Sequence, residues 1–245
     1  MADNEHIEDL GGGVYAYVNN QHSFGTDSFL LSHFAAPRQK ETTCDLGCGC
    51  GIVPLLWFRA QNAPEEVFAL EIQPKAVELA RRSVEESELT DKIRILEGDL
   101  RSPPAELSRD GFDLITCNPP YNKLGTGVMS SALSNQISRH ETTCTLDDVC
   151  AAAAQLLRFG GRICLCQLPE RLPDVFQAMR THRIEPKRLR FVQEVASKAP
   201  WLVLVEGKLG AKPFLQVERP LLLWENGDNS KEMLDIFYLH SKDTV

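Results

Sequence analysis

A chain of 245 residues, 43% apolar and 24% charged, has room for one sizeable core and the composition of an ordinary globular domain. No apolar run approaches the roughly 18 residues of a membrane span. The acidic start Met1-Ala2-Asp3-Asn4-Glu5 lacks the basic and apolar regions of a signal peptide, so a cytoplasmic protein is expected. The net charge of −8 argues weakly against a nucleic-acid partner, but the charge is polarised. The first 66 residues hold nine acidic and three basic side chains, whereas Arg171 to Arg219 holds ten basic and five acidic ones.

In chain order, Gly11-Gly12-Gly13 reads as a flexible turn feeding a short strand to Val18. Ser23-Phe24-Gly25-Thr26-Asp27 precedes a short helix ending near Pro37, with Thr26 or Asp27 as its cap. Thr42 to Leu46 is the first core strand. It enters Gly47-Cys48-Gly49-Cys50-Gly51, followed by a helical stretch from Ile52 to Ala60. Strand, glycine-rich turn and helix is the context in which glycines let a ligand approach the backbone. The pattern is D-x-G-x-G-x-G, with Asp45 two residues before the first glycine, and not the dinucleotide G-x-G-x-x-G.

A second strand, Glu66 to Leu70, ends at Glu71, placed to accept the hydroxyls of a ribose. Pro74 opens a helix to about Glu86. Ile93 to Leu96 is a third strand with Asp99 just beyond it, an acceptor suited to an adenine amino group. An irregular crossover leads to the strand Phe112–Cys117 and then to Asn118-Pro119-Pro120-Tyr121. There a side-chain carbonyl and backbone acceptors, beside a proline without an N–H, form a notch for a planar –NH2 group, and Tyr121 offers a flat face for stacking.

Residues 122–143 are polar and read as a long mobile loop beside the site, with Arg139, His140 and Glu141 as its charged cluster. Leu146 to Phe159 is expected as a helix ended by Gly160-Gly161, with a strand from Arg162 to Leu168. A helix from Pro173 to Arg180 and paired strands over Ile184–Val195 and Trp201–Glu206 follow. Pro220 to Trp224 is a last short strand. The eight cysteines include no C-x2-C pair, so buried free thiols and no metal are expected.

With these motifs in place, the chain resembles the class I S-adenosylmethionine-dependent methyltransferases. Asp45 to Gly51 stands as their cofactor motif, and Asn118 to Tyr121 as the motif of the members that methylate amino groups. More closely, it is similar to bacterial tRNA adenine-N6 methyltransferases that modify an adenine next to the anticodon of a valine tRNA. Phe24-Gly25-Thr26-Asp27, Arg139-His140-Glu141 and Gly160-Gly161-Arg162 also carry that likeness. Cys48 and Cys50 stand where relatives commonly carry other small residues, which fit the same space.

The resemblance implies an α/β fold: a doubly wound, mostly parallel seven-stranded Rossmann-like sheet with helices on both faces. It would form one domain over residues 41–245, with 1–40 as a flank packed on it and a basic strand region over 183–219. S-adenosylmethionine would be held by Asp45, Gly47, Gly49, Gly51, Glu71, Ile72, Asp99, Leu100, Asn118 and Thr26. Asn118, Pro119 and Tyr121 would be the catalytic residues. A tRNA would be held by Arg139, His140, Lys187, Arg188, Arg190 and Lys198. A monomer is favoured, and no membrane or metal is required. The amide of a protein glutamine or the N2 of a guanine presents the same planar –NH2, so these substrates remain alternatives, as does a non-catalytic RNA-binding module.

Overall fold

The computed structural model describes residues 4–59, 63–108, 111–119, 121 and 144–238. Pro120 and the stretch 122–143, with Arg139 and His140, lie outside the described residues.

The residues that follow the acidic start form a strand. β1 (His6–Gly11) pairs with β2 (Val14–Val18) as an antiparallel hairpin whose turn glycines Gly11, Gly12 and Gly13 all have positive φ. α1 (Thr26–Ala35) leads to β3 (Thr42–Leu46) and the short α2 (Ile52–Leu56), which tightens into a 3₁₀ turn over Trp57–Arg59. β4 (Glu66–Glu71), α3 (Pro74–Glu86) and β5 (Ile93–Glu97) fall where their patterns place them. The irregular crossover holds a 3₁₀ turn, Ala105–Ser108, before β6 (Phe112–Cys117). The hairpin lies against α3, whose Ser83 and Ser87 hydroxyls accept the Tyr17 and Tyr15 backbone N–H groups at 2.8 and 2.9 Å.

Beyond this point the largest departure from expectation is the boundary between a helix and a strand. α4 (Leu146–Leu156) stops three residues early, and β7 (Leu157–Gln167) begins at Leu157 and runs through Gly160-Gly161. A Cβ on Gly161 would lie 2.6 Å from the Phe112 carbonyl oxygen, and one on Gly111 would lie 2.8 Å from the Arg158 nitrogen. These glycines therefore serve the close approach of β6 to β7 and do not terminate a helix. α5 (Leu172–Thr181), β8 (Ile184–Gln193) and β9 (Leu202–Leu209) follow. The chain then adds β10 (Gln216–Val217), β11 (Leu221–Leu222), the hairpin β12 (Trp224–Glu225) with β13 (Asp228–Asn229), and α6 (Lys231–Tyr238).

The central sheet has nine strands and not seven, in the order β10-β8-β9-β7-β6-β3-β4-β5, with β11 also on β8. β9 runs antiparallel to both neighbours, and the other pairs are parallel. The two extra strands arise because the returning chain covers the outer edge of β8, whose backbone groups would otherwise be unpaired. Glu218 N–H reaches the Leu189 carbonyl at 2.8 Å, and Leu223 N–H reaches that of Gln193 at 2.9 Å.

Side chains alternate between two apolar clusters. Leu114, Cys164 and Cys166 pack with residues of α1, α2, α3 and α6, whereas Ile115, Ile163 and Leu165 pack with α4 and α5. Both faces of the sheet are thus covered, as a parallel sheet requires. Among the described residues, no helix is long and apolar enough to cross a membrane. No group of three or more His, Cys, Asp or Glu among them could hold a metal ion.

Candidate active site

The carboxyl ends of β3, β4, β5 and β6 meet at one edge of the sheet, where open α/β sheets bind ligands. The turn after β3 is tied to the end of β4, with Gly47 and Cys48 N–H groups both donating to the Leu70 carbonyl, at 2.8 and 3.1 Å. Gly47, Gly49 and Gly51 have φ of 72°, 56° and 84°, a left-handed conformation that disfavours any side chain. A Cβ on Gly47 or Gly49 would meet nothing within 4 Å, so the turn leaves open floor, whereas one on Gly51 would touch Ala80 at 3.3 Å. That floor is the cradle a ligand would fill.

Glu71 stitches the three turns together. Its carboxylate accepts from Gly49 N–H and Gln73 N–H, each at 2.9 Å, and its carbonyl accepts from Gly98 N–H at 2.9 Å. Asp45 is buried at 3% exposure and accepts the Thr116 hydroxyl at 2.6 Å. Burial pushes its pKa up to about 7, helped by the charge of Glu71 and opposed by the Thr116 hydrogen bond. Asp99 instead lies at the rim, gripped by the Arg101 guanidinium at 2.5–3.0 Å and by Arg101 N–H at 2.9 Å, which holds its pKa below the usual range. Ile72 is exposed beside Glu71, and Leu100 packs on the α4 side of the core.

Asn118 ends β6 within a hydrogen-bonded group that the sequence did not foretell. Its Nδ2 donates to Asp27 Oδ2 at 3.1 Å, and the Tyr121 hydroxyl donates to the same oxygen at 2.6 Å. Asn118 Oδ1 lies 3.0 Å from the Cys166 thiol and 3.1 Å from the Tyr121 hydroxyl. The Tyr121 ring is buried at 6% exposure, so the flat face expected for stacking is turned inward in this conformation.

Thr26 and Asp27 are not the N-cap of α1, which is Gly25; Asp27 sits in the first turn, where its Oδ1 accepts the Ser28 N–H. Thr26 is the first helical residue. Gly25 lets the Asp27 carboxylate pass, since a Cβ at position 25 would lie 3.0 Å from Asp27 Oδ1.

The described RNA-binding candidates are divided between the two edges of the sheet: Lys198 lies in the turn after β8, at this carboxyl edge, and Lys187 lies near the start of β8, at the opposite one. Arg188 stacks on Phe34 at 4.0 Å and pairs with Glu206 at 2.9 Å and Glu218 at 3.4 Å; Arg190 is held by both carboxylate oxygens of Glu232, at 2.5 and 2.7 Å. Lys198 pairs with Glu194 in the β8–β9 turn. Lys187 donates to the Lys212 carbonyl at 3.1 Å and lies over the exposed ring of Phe214.

The model of the methyltransferase small domain matches residues 12–181. The chain belongs to the methyltransferase small-domain family. Among relatives of this small-domain methyltransferase is the tRNA1(Val) (adenine(37)-N6)-methyltransferase of Porphyromonas gingivalis (strain ATCC 33277), 32% identical over 189 residues, 74% of this chain and 72% of the relative. The enzyme of the same description from Shewanella sp. (strain MR-4) is 25% identical over 239 residues, 96% of each chain. In fold, the small-domain methyltransferase is similar to a predicted O-methyltransferase from Agrobacterium tumefaciens, with a TM-score of 0.69 at 21% identity over 86% of this chain and 95% of that one. It is thus a class I S-adenosylmethionine-dependent methyltransferase related to the bacterial tRNA(Val) adenine-N6 enzymes.

Proposed function

We propose that this enzyme transfers a methyl group from S-adenosylmethionine to the exocyclic N6 of an adenine in tRNA, next to the anticodon. The observation that carries this reading is the Asn118 carboxamide, held at the end of β6 with its amide hydrogens turned to Asp27, in a chain whose relatives are tRNA1(Val) (adenine(37)-N6)-methyltransferases. When bound, S-adenosylmethionine supplies a methyl group on a sulfonium, which needs no metal or covalent nucleophile. The open floor over Gly47 and Gly49 and the carboxylates of Asp45 and Glu71 fit that cofactor. Asn118 Oδ1 and the Pro119 carbonyl accept the two hydrogens of the adenine amino group. This raises electron density on a nitrogen whose lone pair is otherwise conjugated into the ring, and it aims that nitrogen at the methyl carbon. A base next to the anticodon is already in a single-stranded loop, so turning it out is inexpensive. With tRNA as its proposed substrate, we read this as a cytoplasmic enzyme.

Transfer of labelled methyl to total bacterial tRNA, with nucleoside digestion and mass analysis, tests the reading. N6-methyladenosine is expected. N2-methylguanosine, or label in protein from an RNA-free lysate, would replace it with one of the rival substrates.

Asp45 gives a pH signature. A buried carboxyl with a pKa of about 7 is ionised only at neutral pH and above, and a cationic cofactor favours the ionised form. Cofactor affinity is therefore expected to fall about tenfold per pH unit below 7, with proton uptake on release. Calorimetry in two buffers of different ionisation enthalpy checks it; Asp45→Asn should flatten the profile.

For phosphates remote from the modified base we favour Lys187, Lys208 and Lys212, which gather where β8 begins and β9 ends, at the sheet edge opposite Asn118, over Arg188 and Arg190. Among the described residues, these lysines have no acidic partner, whereas the two arginines are already neutralised. Changing the three lysines to glutamate should raise the KM for tRNA about tenfold and lower the salt slope, with kcat nearly unchanged.

A further inference from the structure

We infer that Asp27 is a positioning residue that fixes which end of the Asn118 carboxamide faces the substrate. The inference rests on the reading that Asn118 accepts from an amino group. An asparagine amide has two nearly isosteric orientations, related by a half-turn, one presenting a carbonyl and the other an –NH2 group. Only the carbonyl can accept from an adenine amine; the flipped amide would set donor against donor.

Asp27 breaks this symmetry because a carboxylate only accepts. Oδ2 faces Asn118 Nδ2 at 3.1 Å, and a flip would put carbonyl oxygen against carboxylate. The same oxygen takes the single hydroxyl proton of Tyr121 at 2.6 Å, so Tyr121 cannot also donate to Asn118 Oδ1 at 3.1 Å. Among the described residues, the one other donor beside that carbonyl is the Cys166 thiol, a weak one that an amine displaces readily.

Asp27 thus leaves the Asn118 acceptor unclaimed by its strongest local rival. Its own placement is backbone-determined: Oδ1 accepts Ser28 N–H at 2.9 Å, and Gly25 clears the space beside it.

Two readouts test this on the full-length protein. The first needs no substrate. With ¹⁵N-labelled asparagine, the Asn118 side-chain amide should show a proton shifted downfield by the carboxylate; Asp27→Ala should abolish that shift and Tyr121→Phe should preserve it. The second is kinetic, with S-adenosylmethionine and tRNA.

Asp27→Asn is expected to lower kcat ten- to a hundredfold, with the KM for S-adenosylmethionine within twofold and Tm unchanged. In an Asn118→Asp background, where either orientation presents an acceptor, Asp27→Asn should cost little more. An Asn118 resonance indifferent to Asp27 overturns the inference. So does a wild-type kcat in Asp27→Asn, or a loss of kcat that tracks equal losses in Tm and cofactor affinity. If the wild-type enzyme methylates no RNA, the proposed substrate fails, and the amide resonance still decides the role of Asp27.

Discussion

Asn118→Ala is expected to reduce kcat for methyl transfer by about 10²–10³-fold, the loss typical of removing one preorganised polar contact to a reacting group. The adenine amine is a poor nucleophile, and in the proposed mechanism Asn118 Oδ1 is the side-chain acceptor offered to it. Truncation also leaves Asp27 without one of its donors, so the notch loses both its acceptor and its anchor. Cofactor affinity should change little, because Gly47, Gly49, Asp45 and Glu71 are held by contacts independent of Asn118. Single-turnover transfer beside equilibrium binding of S-adenosylhomocysteine separates the two. A comparable loss in both would mean that Asn118 serves the cofactor and not the amine.

Phe112→Ala is expected to cost about 3–5 kcal/mol of stability, as deleting a fully buried aromatic side chain does. Phe112 opens β6, is 2% exposed and meets the Phe68 ring edge-on, with centroids 5.4 Å apart. Its carbonyl also lies where Gly161 must pass, so the packing around it cannot collapse freely into the vacated space. Against a total stability of about 5–15 kcal/mol, such a loss would be conspicuous in urea unfolding. At about 3.3 Å per residue, Phe112 stands roughly 20 Å from Asn118, so the folded fraction should keep its kcat. A parallel fall in specific activity of the folded protein would argue against this separation.

What could be read in advance follows from how local each signal is. Phe112–Cys117 and Pro74–Glu86 appear with the expected bounds because an unbroken apolar run and a proline in the first turn are local. The turn at Gly47 and the tetrad at Asn118 were legible for the same reason.

The misses depend on partners distant in sequence. β1 is nearly all exposed and carries no apolar alternation, being held by β2 instead. β10 is two residues long, too short for any period, and exists only because the edge of β8 was open, whereas β11 falls inside the short strand expected over Pro220 to Trp224. Gly160-Gly161 looks like a helix stop until β6 comes beside it. The basic character of Arg188 and Arg190 is visible, but the Glu206 and Glu232 that neutralise them are 18 and 42 residues away. Asp27 reads as a cap because nothing in its neighbourhood announces Tyr121, 94 residues on.

The far end of α1 adds a last consequence. Arg162 donates to the Ala35 and Ala36 carbonyls at 3.2 and 3.3 Å, and Arg188 donates to that of Phe34 at 2.6 Å. Glu41 and Glu206 hold those arginines in turn. Ten residues at about 1.5 Å each make α1 a rod of roughly 15 Å, pinned to the sheet at its tail and carrying Asp27 at its head. The bearing of the Asp27–Asn118 pair is therefore set from the opposite end of the helix. Arg188, expected as a contact for RNA, instead helps Arg162 bolt down the tail of the helix whose head carries Asp27.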